Sequence, residues 1–442
     1  LDNVDKLKGA QKKKVEENME SALMSKDLAT IFREVPLDYS LDQMAFGDFS
    51  MEDLVKTFQD LKFNSLIARL NDLVGQEDQE LDIDICQLTD FDGFIDQAKD
   101  KGHLYMKIFR AEENILDKAI YMTYLSLESD KIYRVHGDDI ARLKPILEAE
   151  EIEKIGYEMK ADYVALKPYG IDLRNMAFDI AIAEYVIDSK TSTSYDIDSI
   201  SSKYIYKTIM SKEDLLGKGA KALSYDRVEL ERLDQYVGGM ISTIMGAYPK
   251  MKKIIDEDQL TMLFYDVEMP LVEVLADMEY SGICVDKEIL SSLATDFDEI
   301  IEKTEKNIHE LAGEDFNVNS PKQLGQILFE KLGLPVIKKT KTGYSTNAEV
   351  LEKLRDKHEI IDMRSVVKLK STYVDGIEAL VNEKDGRIHS SFNQTITTTG
   401  RISSTDPNMQ NIPVKTDMGR QIRKVFIADD SMSLVDADYS QV

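Results

Sequence analysis

Residues 397–413 read TTTGRISSTDPNMQNIP, and residues 433–442 read SLVDADYSQV. The second stretch reads as a short apolar strand that ends on two carboxylates, Asp436 and Asp438, followed by Tyr439 and Ser440. Carboxylates at a strand end suit a hard cation such as Mg²⁺, which takes oxygen ligands and keeps much of its water. The first stretch gathers Arg401, Asn408, Gln410 and Asn411 without a hydrophobic period, a dense set of hydrogen-bond donors.

Together the two stretches resemble the bacterial DNA polymerase I family, the A family. DYSQ followed by an aliphatic residue is similar to its motif A, the palm strand that carries one of two metal-binding aspartates, and Asp438 is the matching position. TGRISSTDPNMQNIP resembles the segment before it, where an arginine and amides contact primer and template in the minor groove. Further upstream, NSPKQLGQILFEKLGLPVIKKTKTGYST (319–346) and KLKSTYVDG (368–376) resemble the thumb. SALMSKDLATIFREVPLD (21–38) resembles the tail of the family's 5′-nuclease domain and the linker after it, while residues 40–100 match poorly.

The resemblance implies a multidomain chain of α/β and α+β class. Residues 1–38 would be the end of the 5′-nuclease domain and linker. Residues 39–255 would be a ribonuclease-H-like 3′–5′ exonuclease-type domain, and 256–442 a helical thumb with the first part of the palm. It implies Asp438 as the catalytic and metal-binding carboxylate, and Tyr439, Ser440 and Gln441 as contacts to the incoming nucleotide. Arg401, Asn408, Gln410, Lys338, Lys339, Lys341 and Thr372 would contact DNA. The implied cofactor is a pair of Mg²⁺ ions about 3.5–4 Å apart, one at the primer 3′-hydroxyl and one at the triphosphate. The implied partners are primer–template DNA and deoxynucleoside triphosphates, bound by a monomer in the bacterial cytoplasm near the nucleoid.

Chemistry supports these roles unevenly. An arginine can fork two hydrogen bonds to the minor-groove acceptors that every correct base pair presents, reading pair shape without reading sequence. Turn residues that cap their own backbone are the plain alternative for Asn411 and for Asp406-Pro407. An ordinary solvated loop is the alternative for the three lysines. Asp436 lies two residues before Asp438, but the family position there is usually small and uncharged, so it reads as a solvated strand-end aspartate.

The formal net charge of −27 argues naively against nucleic acid, yet its distribution matters more than its sum. Residues 385–424 hold six basic side chains against three acidic ones, and residues 321–345 hold five against one. A basic C-terminal third on an acidic body is compatible with DNA bound at one surface. Two cysteines, Cys86 and Cys284, without CxxC spacing suit a reducing compartment without zinc. No apolar run approaches the roughly 18 residues of a membrane helix. The chain starts at Leu1 and stops within the expected palm strand, so it reads as an internal piece of a longer protein, with the fingers, the second metal aspartate and the rest of the palm beyond Val442. The five histidines show no metal-ligand spacing, and no GxSxG, P-loop or GxGxxG occurs.

Along the chain, residues 5–34 read as a helix stopped by Pro36, and 37–100 as linker and the start of the next domain. HLYMKIF, AIYMTYLSL and KIYRV read as three strands, with helices near 138–149 and 174–187. A helix ends at Gly282; another runs over 286–312 with Gly313 past its end. Ser320, Pro321 and Gln323 form a helix-start signature, Thr346 and Glu349 offer a second, and a further helix spans 359–382.

The exonuclease domain lacks its expected ligands. Active relatives carry Asp-x-Glu on the first strand, where this chain has Lys107 and Phe109, and a later tyrosine is followed four residues on by an aspartate, where Tyr236 is followed by Met240. Asp162 alone matches, and a lysine among carboxylates repels a divalent cation. The domain therefore reads as a structural relic. Three readings compete: a template-directed DNA polymerase, a non-catalytic DNA-binding piece, and, disfavoured by Lys107, Phe109 and Met240, a 3′–5′ exonuclease.

Overall fold

The computed structural model describes residues 4–6, 9–32, 36, 54, 57–58, 83–111, 114–189, 194–340, 343–346, 350, 366–367, 369–412 and 417–439. The chain divides into two compact units, Leu1–Lys62 and Phe63–Val442.

In the first unit the expected single helix is two: α1 (Ala10–Glu17) and α2 (Met19–Ala29). Asn18 parts them with φ −121°, and its side-chain amide donates to the Lys14 carbonyl at 2.8 Å. An asparagine that bonds the preceding turn competes with helix continuation. Helix α2 ends at Ala29, well before Pro36, and Leu23, Met24 and Leu28 on it are exposed.

The second unit is built on a six-stranded sheet. Its strands are β1 (Asp84–Gln87), β2 (His103–Arg110), β3 (Ile120–Glu128), β4 (Lys131–His136), β5 (Glu153–Gly156) and β6 (Met176–Asp179), in the order β1-β4-β3-β2-β5-β6. Strand β3 runs antiparallel to β2 and β4, while β1–β4, β2–β5 and β5–β6 are parallel pairs. Side chains alternate between faces along a strand. On β2, Leu104, Met106 and Ile108 face the core containing Phe91, Phe94 and Ala98 of α3 (Phe91–Lys101). Phe109 faces the opposite core with Tyr236, Val237 and Ile241. Two faces buried in this way make a three-layer domain.

The middle three strands form where the sequence reading put them. Residues 174–187 do not begin as helix: Met176–Asp179 is strand β6, and the helix follows as α5 (Ile180–Asp188), after α4 (Met159–Leu166). The region near 138–149 is a 3-10 turn over Gly137–Leu143 and one short helix, Lys144–Leu147.

The long helix α6 (Leu230–Glu257) covers one face of the sheet and leads through a π-helical turn to α7 (Met269–Ser281). Helix α7 closes at Gly282, whose φ of 60° favours glycine. Strand β7 (Ile283–Val285) is the centre of a small sheet with β10 (Arg387–Ile388) and β13 (Phe426–Ile427). Helix α8 (Lys287–Ala312) packs Leu290, Leu293 and Phe297 against the same core, and is capped by Asp286, which accepts from the Glu288 and Ile289 amides. Ser320 caps α9 (Pro321–Gln326), but Gln323 turns outward from the helix and accepts the Asn317 amide at 2.7 Å instead of closing a capping box. The second expected capping box cannot be followed, because Glu349 lies outside the described residues. Of the helix expected over 359–382, the described part is residues 366–367 and a π-helical turn Lys370–Val374 continuing into α10 (Asp375–Leu380).

Candidate nucleic-acid interface and metal centres

The 397–413 stretch is organised by a hairpin. Strand β11 (Ser391–Asn393) pairs antiparallel with β12 (Ser403–Thr405), and Arg401 lies in the connection, exposed. The turn depends on Gly400, whose φ of 76° an L side chain rarely adopts. Thr397 Oγ1 crosses the turn and donates to the Arg401 carbonyl at 2.6 Å. Below it, buried Ser404 accepts the Met409 amide on Oγ at 2.9 Å. Asn408 caps the 3-10 turn Met409–Asn411 by accepting the Gln410 amide at 3.1 Å, and Gln410 Nε2 donates to the Ile402 carbonyl at 2.5 Å. The self-capping expected of Asn411 therefore falls to Asn408. An amide side chain has a donor end and an acceptor end. Among the described residues no hydrogen bond engages Asn408 Nδ2 or Gln410 Oε1, and no ion pair engages Arg401.

Tyr373 donates its hydroxyl to the Asn411 carbonyl, which fastens the turn carrying exposed Thr372 to the turn carrying Gln410. The sequence offered no sign of this link, made 38 residues apart. Lys338 and Lys339 are exposed on a separate hairpin, β8 (Lys339–Thr340) with β9 (Gly343–Tyr344), closed by the Ser345 amide on the Lys338 carbonyl at 3.0 Å. Lys339 Nζ stands 5.5 Å from the centre of the Tyr344 ring, which packs on Phe329. Lys341 lies outside the described residues.

The expected palm strand does not form. Residues 432–439 are without strand pairing, and Val435 and Tyr439 are 88 % and 86 % exposed. An isolated strand cannot satisfy its backbone groups, and no described strand lies alongside this one. Asp436 and Asp438 are exposed there; Ser440 and Gln441 lie outside the described residues. Among the described residues no three His, Cys, Asp or Glu side chains are grouped to hold a metal ion. Asp438 is an exposed carboxylate outside any such group, an oxygen donor of the kind a hard cation takes.

The interior of the six-stranded sheet holds a buried lysine–aspartate pair at the expected ligand positions. Lys107 Nζ lies 3.0 Å from Asp162 Oδ1 with both side chains buried, and it donates to the Tyr157 and Glu158 carbonyls at 2.7 and 3.2 Å. Asp162 Oδ1 also accepts the Ile108 amide at 3.2 Å, while Oδ2 is buried without a hydrogen-bond partner. Burial pushes the Asp162 carboxyl up to about 7, against the opposing pull of Lys107. Phe109 fills the next position edge-on to Tyr225 and Tyr124, with ring centres 4.8 and 5.8 Å away, and Met240 is buried in the same core. A second buried carboxylate, Asp179, escaped the sequence reading. Its oxygens accept the Met159 and Ala181 amides at 2.7 and 2.9 Å, so it works as a helix cap, and burial raises its pKa.

Comparison with known proteins falls on both halves. Residues 287–442 match DNA polymerase family A, and residues 110–237 match the ribonuclease H-like domain of DNA polymerase I. The DNA polymerase I of Bacillus subtilis is 37% identical over 100% of this chain and 51% of its own length. That of Pseudomonas aeruginosa is 35% identical over 97% of this chain and 51% of its length. The chain thus spans about half the length of these curated relatives. Among solved structures, the POL domain of Pol1 from M. smegmatis, in complex with DNA primer-template and dNTP, aligns at a TM-score of 0.67 and 27% identity, covering 78% of this chain and 59% of that one.

Proposed function

Because the chain belongs to DNA polymerase family A, we propose that it serves template-directed DNA synthesis, with residues 256–442 as thumb and first part of the palm and 39–255 as an exonuclease-type domain without nuclease activity. Residues 1–38 are assigned to the end of a 5′-nuclease domain and its linker. The observation that carries the reading is the Arg401 turn: an exposed guanidinium on a braced hairpin, flanked by the amides of Asn408 and Gln410. Such a surface suits the minor-groove edge of a base pair, where acceptors N3 and O2 recur in every sequence. Lys338 and Lys339, with Lys341, supply phosphate contacts along the duplex, and Thr372 joins them from the thumb.

Asp438 is the carboxylate we assign to the metal, with Tyr439, Ser440 and Gln441 at the incoming nucleotide. When bound, Mg²⁺ supplies activation of the primer hydroxyl and neutralises the triphosphate. The chain's own share is to hold the primer terminus: Arg401 against the terminal pair, Asn408 and Gln410 beside it. The working form in this reading is a monomer acting on DNA in the cytoplasm; no helix among the described residues is long and apolar enough to cross a membrane. The test is binding of a fluorescent primer–template duplex to the 442-residue chain. Affinity that is independent of sequence and falls steeply with salt is expected. Salt-independent affinity, or none, overturns the reading.

A further inference from the structure

The hairpin that carries Arg401 is held from outside, by helices of the sheet domain and by the π-helical turn and α7 that follow it. Lys160 on α4 donates to Glu279 on α7 and to the Phe392 carbonyl, while the Phe392 amide donates to Glu279 Oε1 at 2.7 Å. Both backbone polar groups of the central β11 residue are thereby engaged. Two residues on, Gln394 is buried and donates from Nε2 to the Glu268 carbonyl and to Glu268 Oε2 at 3.1 and 2.9 Å. Farthest along, Tyr185 on α5 donates its hydroxyl to the Thr397 carbonyl at 2.8 Å. Thr397 then donates from Oγ1 to the Arg401 carbonyl at 2.6 Å. A continuous line of two hydrogen bonds therefore joins the sheet domain to the backbone of Arg401.

The accepting groups at Phe392, Thr397 and Arg401 are backbone carbonyls, so these contacts act on the path of the chain itself. The Tyr185 side chain is buried and stands on helix α5 edge-on to Tyr195, ring centres 5.9 Å apart, so its hydroxyl comes from a packed side chain rather than a mobile arm. A turn held in place before DNA arrives does not have to be ordered on binding, and the affinity it would have lost to ordering is retained.

We propose that Tyr185, acting through Thr397, is a positioning residue that sets the turn from which Arg401 reaches the minor groove of primer–template DNA. This rests on the reading of Arg401 given above. It assigns the exonuclease-type domain a present task in DNA binding, that of a brace for the polymerase half.

The experiment compares the full chain with Y185F, R401A and the double variant Y185F/R401A, measuring affinity for one primer–template duplex at fixed salt and amide exchange over residues 396–402. Loss of one neutral hydrogen bond predicts that Y185F binds about five-fold more weakly. It also predicts faster exchange confined to that turn. In the R401A background the same change is expected to cost nothing further, because its effect passes through Arg401. T397V supplies an independent probe should Y185F fold poorly: it keeps Tyr185 and its bond to the Thr397 carbonyl, deletes only the hydroxyl that reaches Arg401, and is expected to weaken binding to a similar extent. An effective R401A alongside silent Y185F and T397V, or a Y185F penalty that persists undiminished in R401A, overturns the positioning role alone. A silent R401A removes the reading of Arg401 and this proposal with it.

Discussion

Arg387 grips both carboxylate oxygens of Asp429, at 2.7 and 2.6 Å from one guanidinium nitrogen, and its other terminal nitrogen donates to the Ser281 carbonyl at 3.2 Å. Cys284 adds a thiol bond to Asp429 Oδ1 at 3.0 Å. Three chain segments meet here: the end of α7 running into β7, the strand β10, and the stretch after β13 that leads toward Asp438. The Cys284 and Arg387 contacts hold the Asp429 carboxyl below its ordinary range.

A carboxylate held low contributes stability above its unfolded pKa and loses it as pH falls through the folded value. R387Q is therefore expected to speed amide exchange at Phe426 and Ile427 at neutral pH. Its difference from the parent chain is expected to shrink once pH drops below the usual aspartate range. Equal exchange in both proteins at neutral pH would show that the grip does not hold this sheet.

The opposite slope is expected from Asp162. Its folded pKa is raised from 3.8 to about 7, so the folded chain binds more protons than the unfolded one between those values. Stability from this group is full below the unfolded pKa and is lost as pH rises through about 7. The melting temperature of the parent chain relative to D162N is expected to rise as pH is lowered from 7.5 to 5. A difference that stays flat over that range would refute the assignment.

Much of this architecture is legible in the sequence, for a local reason. The runs at 103–109 and 131–135 alternate and end at turn residues, and each became a strand. Asp286 and Gly313 bracket one amphipathic period, and α8 fills the space between them. The helix expected over 174–187 holds from Ile180 onward, and its start is strand instead because MAFDIAIAEYVI is apolar almost throughout and such a run does not distinguish strand from helix. Asp179 makes the change, ending β6 and capping α5. Of the site, the Arg401 motif could be seen but its support could not. Tyr185 and Thr397 are 212 residues apart, and Lys160 and Phe392 are 232 apart, with no periodicity to link them.

Proofreading is expected to be absent. With Lys107 against Asp162 and with Phe109 and Met240 packed in apolar contacts, the chain is expected to leave a 3′-labelled single strand intact in Mg²⁺ or Mn²⁺. Degradation that co-purifies with the chain and disappears in D162A would overturn the assignment.

Replacing Lys338, Lys339 and Lys341 together with Gln should weaken duplex binding about equally on all sequences. The slope of log affinity against log salt should flatten by roughly 0.9 for each phosphate contact removed from duplex DNA. An unchanged slope would place the phosphate contacts elsewhere.

Asp438→Ala is expected to abolish primer extension by a polymerase that carries this chain, by several orders of magnitude, while duplex affinity survives. More than about a tenth of the original turnover, far above what loss of a shared metal ligand should leave, would rule Asp438 out as one.

Lys107 carries one further consequence. A cation bound from solution leaves when a chelator or a competing ligand removes it, and whatever it held together loosens. An ammonium on the chain's own strand cannot be titrated away in this manner. The contact of Lys107 with Asp162, and the sheet packed around it, is therefore expected to hold whether or not magnesium is present. EDTA should stop synthesis by a polymerase that carries this chain and leave the melting temperature of this domain where it was.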